Sequence, residues 1–214
     1  MHDQTAMPRR RAADDRRDEL LRTAHDVARS AGLDAVTPAD VGAAAHASKA
    51  LVFHYFGSTV ELRRAVAAIA IDALDDALAL PDDLVAGAAG GGGPGDRARR
   101  AAVVHALLDA VLAERQIWTD IWSGALRDDD ATASRLDEVR AHLFARFTRT
   151  VASTRTLPDD DARGRLDLLA AGWVGFVEAV LARWLATGRR DRETVEDVVV
   201  DSLDGLLAAP PPRT

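Results

Sequence analysis

Apolar residues recur at steps of three and four along almost the whole chain, and this periodicity constrains the fold more than any other feature. Such steps place side chains on one face of an α-helix, whereas a half-buried strand alternates with a period of two. No stretch shows convincing strand alternation. The sequence therefore predicts an all-α protein of about nine helices, and its 214 residues are enough to bury a core.

Several function classes are disfavoured by what the sequence lacks. It has no cysteine, which excludes disulfides and thiolate metal sites and favours a cytoplasmic location. It has no signal-peptide pattern and no unbroken apolar run of about 18 residues, so we expect no membrane partner. The histidines are scattered, and no nucleophile motif is present. We therefore expect no enzyme activity, no catalytic residue, no cofactor and no metal.

Start and stop signals divide the N-terminal part of the chain into helices. Gly32 ends the first helix, while Thr37 and Ser48 provide side-chain caps for the second and third. Ser58 and Glu61 form a capping box that starts a fourth. The four predicted helices cover about 14–31, 38–45, 48–54 and 58–80.

Residues 81–95 interrupt the periodicity with a glycine-rich run that predicts a flexible loop. Five further helices are expected over about 96–114, 116–126, 130–154, 158–187 and 191–208. The last two, joined by a turn at Gly188, carry more apolar surface than a helix pair with a solvated side needs. Burial within one subunit would explain this. We favour a four-helix bundle with a second subunit, through the dimer residues Val177, Val180, Leu181, Trp184, Val195, Val199, Leu203 and Leu206.

The second and third helices and the three-residue corner between them have the proportions of a helix-turn-helix. Residues 37–62 resemble the signature of the TetR/AcrR family. The recognition helix ends in an aromatic cluster at 53–56, and Ser58, Glu61 and Leu62 match the start of helix four. The close resemblance covers about 50 residues, and the remainder matches in helix count and length.

The resemblance implies a DNA-binding transcriptional regulator, expected to be a ligand-responsive repressor that binds a palindromic operator as a homodimer. Its arm and helix-turn-helix domain would occupy 1–62, and its ligand-binding and dimerisation domain 63–214, with helix four as the connection. Ligand binding would shift helix six, lever helix four and change the separation of the two recognition helices.

Side-chain chemistry predicts the DNA contacts. Lys49, the only lysine, lies at the start of the recognition helix and can donate to guanine or to a phosphate. Ala50 and Leu51 can meet thymine methyl groups. Phe53 could lie either in the protein core or at the edge of the DNA, and the sequence leaves both alternatives open. The predicted DNA-binding residues are Thr37, Ser48, Lys49, Ala50, Leu51, Phe53, His54 and Tyr55, and the predicted core of the module is Val41, Ala45, Val52 and Phe56.

The distribution of charge is compatible with DNA binding although the whole chain carries −7. Residues 1–65 hold ten basic and nine acidic side chains, so the acidity belongs to the remainder. A basic arm before the first helix could contact phosphates or the minor groove, or could be a solvated tail. Its arginines are Arg9, Arg10, Arg11, Arg16 and Arg17.

Three positions depart from the family pattern. His46 stands where glycine is usual, and it must accept a left-handed backbone at about 1 kcal/mol or reshape the corner. Thr59 replaces a lysine that is common at the start of helix four, and Leu51 replaces a small or hydroxylated residue. The departures motivate an alternative function, a ligand- or protein-binding dimer of the same fold whose DNA-reading module has decayed.

Aromatic and histidine side chains of the later helices are candidates for an effector pocket. In the family, the pocket lies between these helices, which predicts an aromatic-walled cavity for a lipophilic or aromatic small molecule. Ordinary core packing is the alternative for each residue. The candidates are His105, Trp118, Trp122, His142, Phe144, Phe147, Trp173 and Phe176.

Overall fold

A computed structural model describes residues 6–79, 94–154 and 160–208 of the chain. All long elements in these ranges are helices, which confirms the predicted all-α fold, and one 3-10 turn covers Leu33–Ala35. The nine described helices are α1 (Ala6–Ala31), α2 (Pro38–Ala44), α3 (Lys49–Phe56), α4 (Thr59–Leu78), α5 (Pro94–Ala113), α6 (Arg115–Ser123), α7 (Asp130–Thr154), α8 (Asp160–Thr187) and α9 (Arg192–Ala208).

Two boundaries differ from the sequence prediction. Helix α1 begins at Ala6 and not near residue 14, because Pro8 lies in the first turn, where a helix tolerates proline, and the arginines and alanines that follow favour helix. The five arginines predicted to form an arm therefore lie on α1, and the side chains of Arg9, Arg10 and Arg11 fall outside the described residues. Most of the predicted loop at 81–95 also lies outside them, and α5 already begins at Pro94.

The chain divides into two compact units, one formed by 1–70 with 114–133 and the other by 71–113 with 134–214. We call the described residues of the first unit (6–70 and 114–133) the head and those of the second the body. Helices α4 and α7 contribute residues to both units, and α6 lies wholly in the head. The predicted domain boundary at residue 62 stays a prediction.

The core of the head is built on a strict four-residue step along α1. Leu20, Ala24 and Ala28 are fully buried, whereas Val27 is half-buried and Ala31 is exposed. The buried stripe thus follows steps of four along α1, although steps of three are equally compatible with one face of a helix. The other fully buried apolar side chains of the head include Leu33, Val36, Val41, Val52, Leu62, Val66 and Ile117.

The core of the body includes the helical hairpin of α8 and α9, which turns at Gly188 as predicted. Two indole groups tie the hairpin together. Trp173 Nε1 donates to Ser202 Oγ at 3.0 Å, and Trp184 Nε1 donates to the Arg190 carbonyl at 2.9 Å. The buried face of α8 includes Leu166, Ala170, Val174 and Leu185, and α5 supplies Val104, Leu107, Leu108 and Val111.

One described helix is long and apolar enough to cross a membrane by length and composition. It comprises residues 163–187 of α8, with a mean hydropathy of 1.5. The sequence-based expectation of no membrane partner stays a prediction. In the body, one face of this helix is buried against the core.

Candidate nucleic-acid interface

Helix α2 begins at the predicted side-chain cap. Thr37 has an extended backbone (φ −121°, ψ 153°), and its Oγ1 accepts a hydrogen bond from the Asp40 N–H at 3.2 Å. The same hydroxyl donates to the Asp40 carboxylate at 2.5 Å. The cap determines where α2 begins. Within the cap the Thr37 hydroxyl both donates and accepts a hydrogen bond. A phosphate contact by Thr37 stays a prediction.

The corner between α2 and α3 depends on a close backbone approach at Gly42. The Ala47 N–H donates to the Gly42 carbonyl at 2.8 Å. A Cβ atom on Gly42 would lie 2.9 Å from the Ala47 carbonyl oxygen and 3.3 Å from the Lys49 nitrogen. Both neighbours are backbone atoms, so they cannot rotate away as a side chain would. The corner therefore excludes any side chain at this position.

His46 takes the first of the two options that the sequence left open. Its φ is +50°, in the left-handed region that glycine occupies more easily. The neighbouring backbone hydrogen bonds of the corner form, including that between the His46 N–H and the Ala43 carbonyl. The corner is thus retained at the expense of local strain.

Helix α3 has a buried side and an exposed side. Ser48 Oγ accepts from the Leu51 N–H at 3.1 Å and caps the helix, as predicted. Val52 and Phe56 are buried, as are Val41 and Pro38 of α2, whereas Ala45 is half-buried and thus only partly a core residue. Four residues of the predicted DNA-binding set are exposed on α3: Lys49, Ala50, Phe53 and His54.

Aromatic rings organise the exposed side of α3. Phe53 is 37% exposed, so it is not a core residue of the head, and its contact with DNA stays a prediction. The Lys49 ammonium lies 5.5 Å from the centroid of the Phe53 ring, a cation–π geometry. The rings of His54 and Tyr55 meet edge to face at 5.4 Å, and Tyr55, like Leu51, is half-buried.

The start of α4 is held by two arginines that sequence analysis did not single out. Ser58 Oγ accepts from the Glu61 N–H at 3.0 Å, which confirms this half of the predicted capping box. Arg63 donates to the carboxylate and the carbonyl of Asp34 at 3.0 and 2.6 Å. Arg64 Nε donates to Asp129 at 2.9 Å. Both arginines are therefore used inside the head.

Asp129 is a buried carboxylate with several donors. Besides Arg64, the N–H and the hydroxyl of Thr132 donate to it at 3.0 and 2.7 Å. The guanidinium hydrogen bond is the largest cause that lowers the pKa of Asp129 to about 2, and the two Thr132 hydrogen bonds add to it. The ionised carboxylate thus joins α4 to the first turn of α7 within the head.

Two further carboxylates, one just before α6 and one on it, contact α1 and the turn that follows α1. Glu114, just before α6, lies 2.8 Å from His25 Nε2, and Asp120 accepts from the Leu33 N–H at 2.6 Å. These pairs are separated by nearly 90 residues in sequence, and no local pattern identifies them. The position of Asp120 also leaves no room beside Gly32, where a Cβ would lie 2.7 Å from its carboxylate.

Two family models match the chain. The model described as bacterial regulatory proteins of the tetR family matches residues 20–66, and a tetracyclin repressor-like C-terminal domain model matches residues 97–204. The second match alone covers half of the sequence. The chain belongs to the TetR family. It is thereby placed among DNA-binding transcriptional regulators, with the helix-turn-helix inside the first matched region.

Solved structures of TetR-family regulators resemble the whole fold. One from Streptomyces coelicolor is 25% identical, with a TM-score of 0.69 over 89% of this chain and 81% of that one. A TetR-like regulator from Rhodococcus sp. RHA1 is 22% identical, with a TM-score of 0.63 over 90% and 96% of the two chains, and shows a shared fold. No curated protein sequence matches the chain.

The candidate pocket residues of this TetR-family chain form two separate aromatic pairs. In the head, Trp118 is fully buried and its ring centroid lies 5.0 Å from that of Trp122. In the body, the Phe147 and Trp173 centroids lie 5.4 Å apart. Phe144 is half-buried, and the exposed candidates are Phe176, His105 and His142.

The two candidate histidines contact carboxylates. His105 Nδ1 lies 3.2 Å from Glu196, and His142 Nδ1 lies 2.6 Å from Asp75. Of the eight candidates, His142 lines a cleft of about 250 Å³ between the end of α4 and α7, and His105 lines a more open cleft of about 480 Å³ beside the start of α9. Four charged side chains, Asp75, Asp76, Arg146 and Arg149, line the first cleft together with Leu78, Ala79, His142 and Ala145.

Most of the predicted dimer residues lie inside the body. Of the eight, Val180 and Leu206 are half-buried, and the six others are buried. The large exposed apolar side chains of α8 are Leu168, Leu169 and Phe176, and α9 adds Val198. The buried residues hold the hairpin together in one protomer, so the apolar surface of this hairpin that is free for another molecule is a different one.

Proposed function

We propose that this TetR-family regulator is a ligand-responsive repressor that binds a palindromic operator as a homodimer. The observation that carries the proposal is the two-sided recognition helix α3. Val52 and Phe56 pack into the head, whereas Lys49, Ala50 and His54 point outwards behind a side-chain cap. This leaves a row of donors and small apolar groups that a major groove can accommodate.

Each exposed side chain of α3 has a proposed role. Lys49 donates to guanine O6 and N7 or to a phosphate, and Ala50 contacts a thymine methyl group. The Phe53 ring lies beside Lys49 and packs against an apolar edge of the same groove. His54 donates to a base edge or a phosphate, and the Tyr55 hydroxyl contacts a phosphate. Ser48 and Thr37 act as caps that orient the two helices.

The proposed dimer face is the exposed stripe of α8. Leu168, Gly172, Gly175 and Ala179 follow one another at steps of four and three, so they share one face of the helix. Leu168 is 76% exposed, and Phe176 flanks the stripe. Small residues at the centre allow a second helix to approach closely, while Leu168 and Phe176 supply the apolar area to be buried. This stripe replaces the face assigned from sequence.

The effector and the location in the cell complete the proposal. We propose a small lipophilic or aromatic molecule that binds the larger domain, 63–214, in the cytoplasm, and that weakens operator binding about 5- to 150-fold. The aromatic pairs Trp118–Trp122 and Phe147–Trp173 are the candidate contacts, each on a different unit. Both pairs are closely packed in this structure, so binding at either would require the rings to separate.

The experiment is selection from genomic DNA. The purified full-length chain is incubated with fragmented DNA of its source at moderate salt, and the retained fragments are sequenced. We expect enrichment of one palindromic site, and loss of that enrichment in Lys49→Ala. Arg189→Ala, which removes the same charge from an exposed residue of the hairpin turn in the body, serves as the matched control.

The alternative, a same-fold binder with a decayed head, is favoured by one observation, the strained His46 at the corner. It predicts a folded dimer that enriches no site. Equal retention of all fragments, with a dimer confirmed by light scattering, would therefore replace the repressor proposal with this alternative.

A further inference from the structure

The basic side chains at residues 14–70 differ in what they contact. Of the seven lysines and arginines in this range, four pair with a carboxylate. Arg22 is exposed and has no ion-pair partner in the part of the chain that the structure describes. The four pairs are Arg16–Glu19, Arg29–Glu114, Arg63–Asp34 and Arg64–Asp129.

The remaining two, Lys49 and Arg17, lie over aromatic rings of α3. Lys49 lies near Phe53 in the first half of the helix, and the Arg17 guanidinium lies 5.1 Å from the centroid of Phe56, its last residue. Arg17 belongs to α1, more than 30 residues earlier in sequence. The tertiary structure thus places one cation towards each end of the recognition helix.

We infer that Arg17 is a DNA phosphate anchor of this protein, acting beside the C-terminal end of α3. This inference rests on the proposed DNA-reading function of α3. Arg17 is exposed, whereas the Phe56 ring beneath it is 6% exposed. The ring supports one side of the guanidinium, and the side chain is exposed to solvent. Guanidinium donors match phosphate oxygens in geometry and charge.

Among the side chains that the structure describes, the start of α4 offers no other free cation for this role. Thr59, the first residue of α4, provides a hydroxyl without charge. Arg63 and Arg64 follow on the same helix, but both are held by carboxylates of the head. Among the described residues, none brings a carboxylate within ion-pair distance of Arg17. A phosphate near this end of α3 would therefore meet Arg17 as its cation.

A structural role, in which Arg17 only braces Phe56, gives a different salt dependence. Each phosphate contact releases counterions, so the slope of log K against log salt changes by about 0.9 per contact. A brace affects folding and leaves this slope unchanged. Phosphate contacts carry no sequence information, so the slope can be measured on any duplex before the operator is identified.

The experiment measures binding of the full-length chain to a mixed-sequence duplex by fluorescence anisotropy over a range of NaCl concentrations. Arg17→Gln should lower the slope by about 0.9 for each protomer on the DNA, or about 1.8 for a dimer. Over a fourfold rise in salt, this changes the wild-type to variant affinity ratio by roughly tenfold. Arg17→Lys should keep the slope.

Arg16→Gln is the matched control, because Arg16 is adjacent in sequence but paired with Glu19 at 2.5 Å. An unchanged slope in Arg17→Gln, or equal falls in both variants, overturns the inference, and a lower melting temperature with an unchanged slope assigns Arg17 as a brace. If the wild-type chain binds no duplex at any salt concentration, the proposed DNA-reading function fails and the inference fails with it.

Discussion

The glycines of the head and those of helix α8 are subject to different constraints. In the head, a Cβ on Gly32 would meet the Asp120 carboxylate at 2.7 Å, and one on Gly42 would meet the Ala47 carbonyl at 2.9 Å. On α8, a Cβ on Gly164, Gly172 or Gly175 would meet no described atom within 4 Å. The packing of the head therefore requires glycine at these positions, whereas the packing of α8 within the protomer does not.

The contrast concerns what approaches these glycines: atoms of the same unit in the head, and none of the described atoms on α8. Glycine inside a helix costs about 0.5–1 kcal/mol relative to alanine, and α8 carries this cost without a close approach inside the protomer. A close approach by another molecule would account for it, as in the proposed dimer. The head is instead complete in itself, with three carboxylates that bind α1, α4 and the turn between α1 and α2: Glu114, Asp120 and Asp129.

The largest effect is expected from Leu168→Asp, which places a charge on the exposed stripe of α8. The protomer should stay folded, because Leu168 is 76% exposed, but the dimer should dissociate. Loss of simultaneous binding to two half-sites should weaken operator affinity by about 100-fold or more. Light scattering and DNA titration test this, with Ala102→Asp, at an exposed position of α5, as the control. A Leu168→Asp chain that remains dimeric contradicts the proposed face.

Gly42→Ala should destabilise the head by about 1–3 kcal/mol, because the added methyl group collides with backbone atoms that cannot rotate away. Gly164→Ala makes the same chemical change at an open helical position, and it should stabilise the protein by about 0.5–1 kcal/mol. Urea unfolding of both variants measures the free energies. Changes of the same sign would show that local helix propensity, and not close approach, distinguishes the two glycines.

Asp129→Asn should produce a smaller, pH-dependent loss of stability. Since the pKa of Asp129 is lowered from 3.8 to about 2, its ionised form stabilises the fold above pH 4. That contribution disappears as the pH falls through about 2. The difference in unfolding free energy between wild type and variant should therefore be constant near pH 7 and shrink between pH 4 and 2. A difference independent of pH would attribute the effect to packing.

The smallest effect is expected from His46→Gly at the corner between α2 and α3. Glycine adopts the observed φ of +50° without the steric penalty of a side chain, so stability should rise by about 0.5–1 kcal/mol. Thermal unfolding measures the gain. His46→Ala, which retains a Cβ, should show little of it, and an equal gain in both variants would attribute it to the imidazole and not to the backbone.

Much of the fold could be predicted because it depends on neighbouring residues. Thr37 and Ser48 cap their helices, and Gly32 and Gly188 end theirs, through hydrogen bonds and backbone angles that span a few positions. The same locality explains why His46 could be identified as strained. The helix-turn-helix motif could therefore be predicted from residues 37–62 alone, together with its resemblance to a family that the family model confirms.

The tertiary structure decided what depends on distant partners. It placed Phe53 on the exposed side of α3, Arg17 over Phe56 and Asp129 against Arg64. It also buried six of the eight side chains that the sequence assigned to the dimer face. An apolar helix face has the same sequence pattern whether its own protomer or another covers it. The sequence by itself determined the helices, their caps and the family, because these rest on short-range interactions. Only packing determined which surfaces remain exposed.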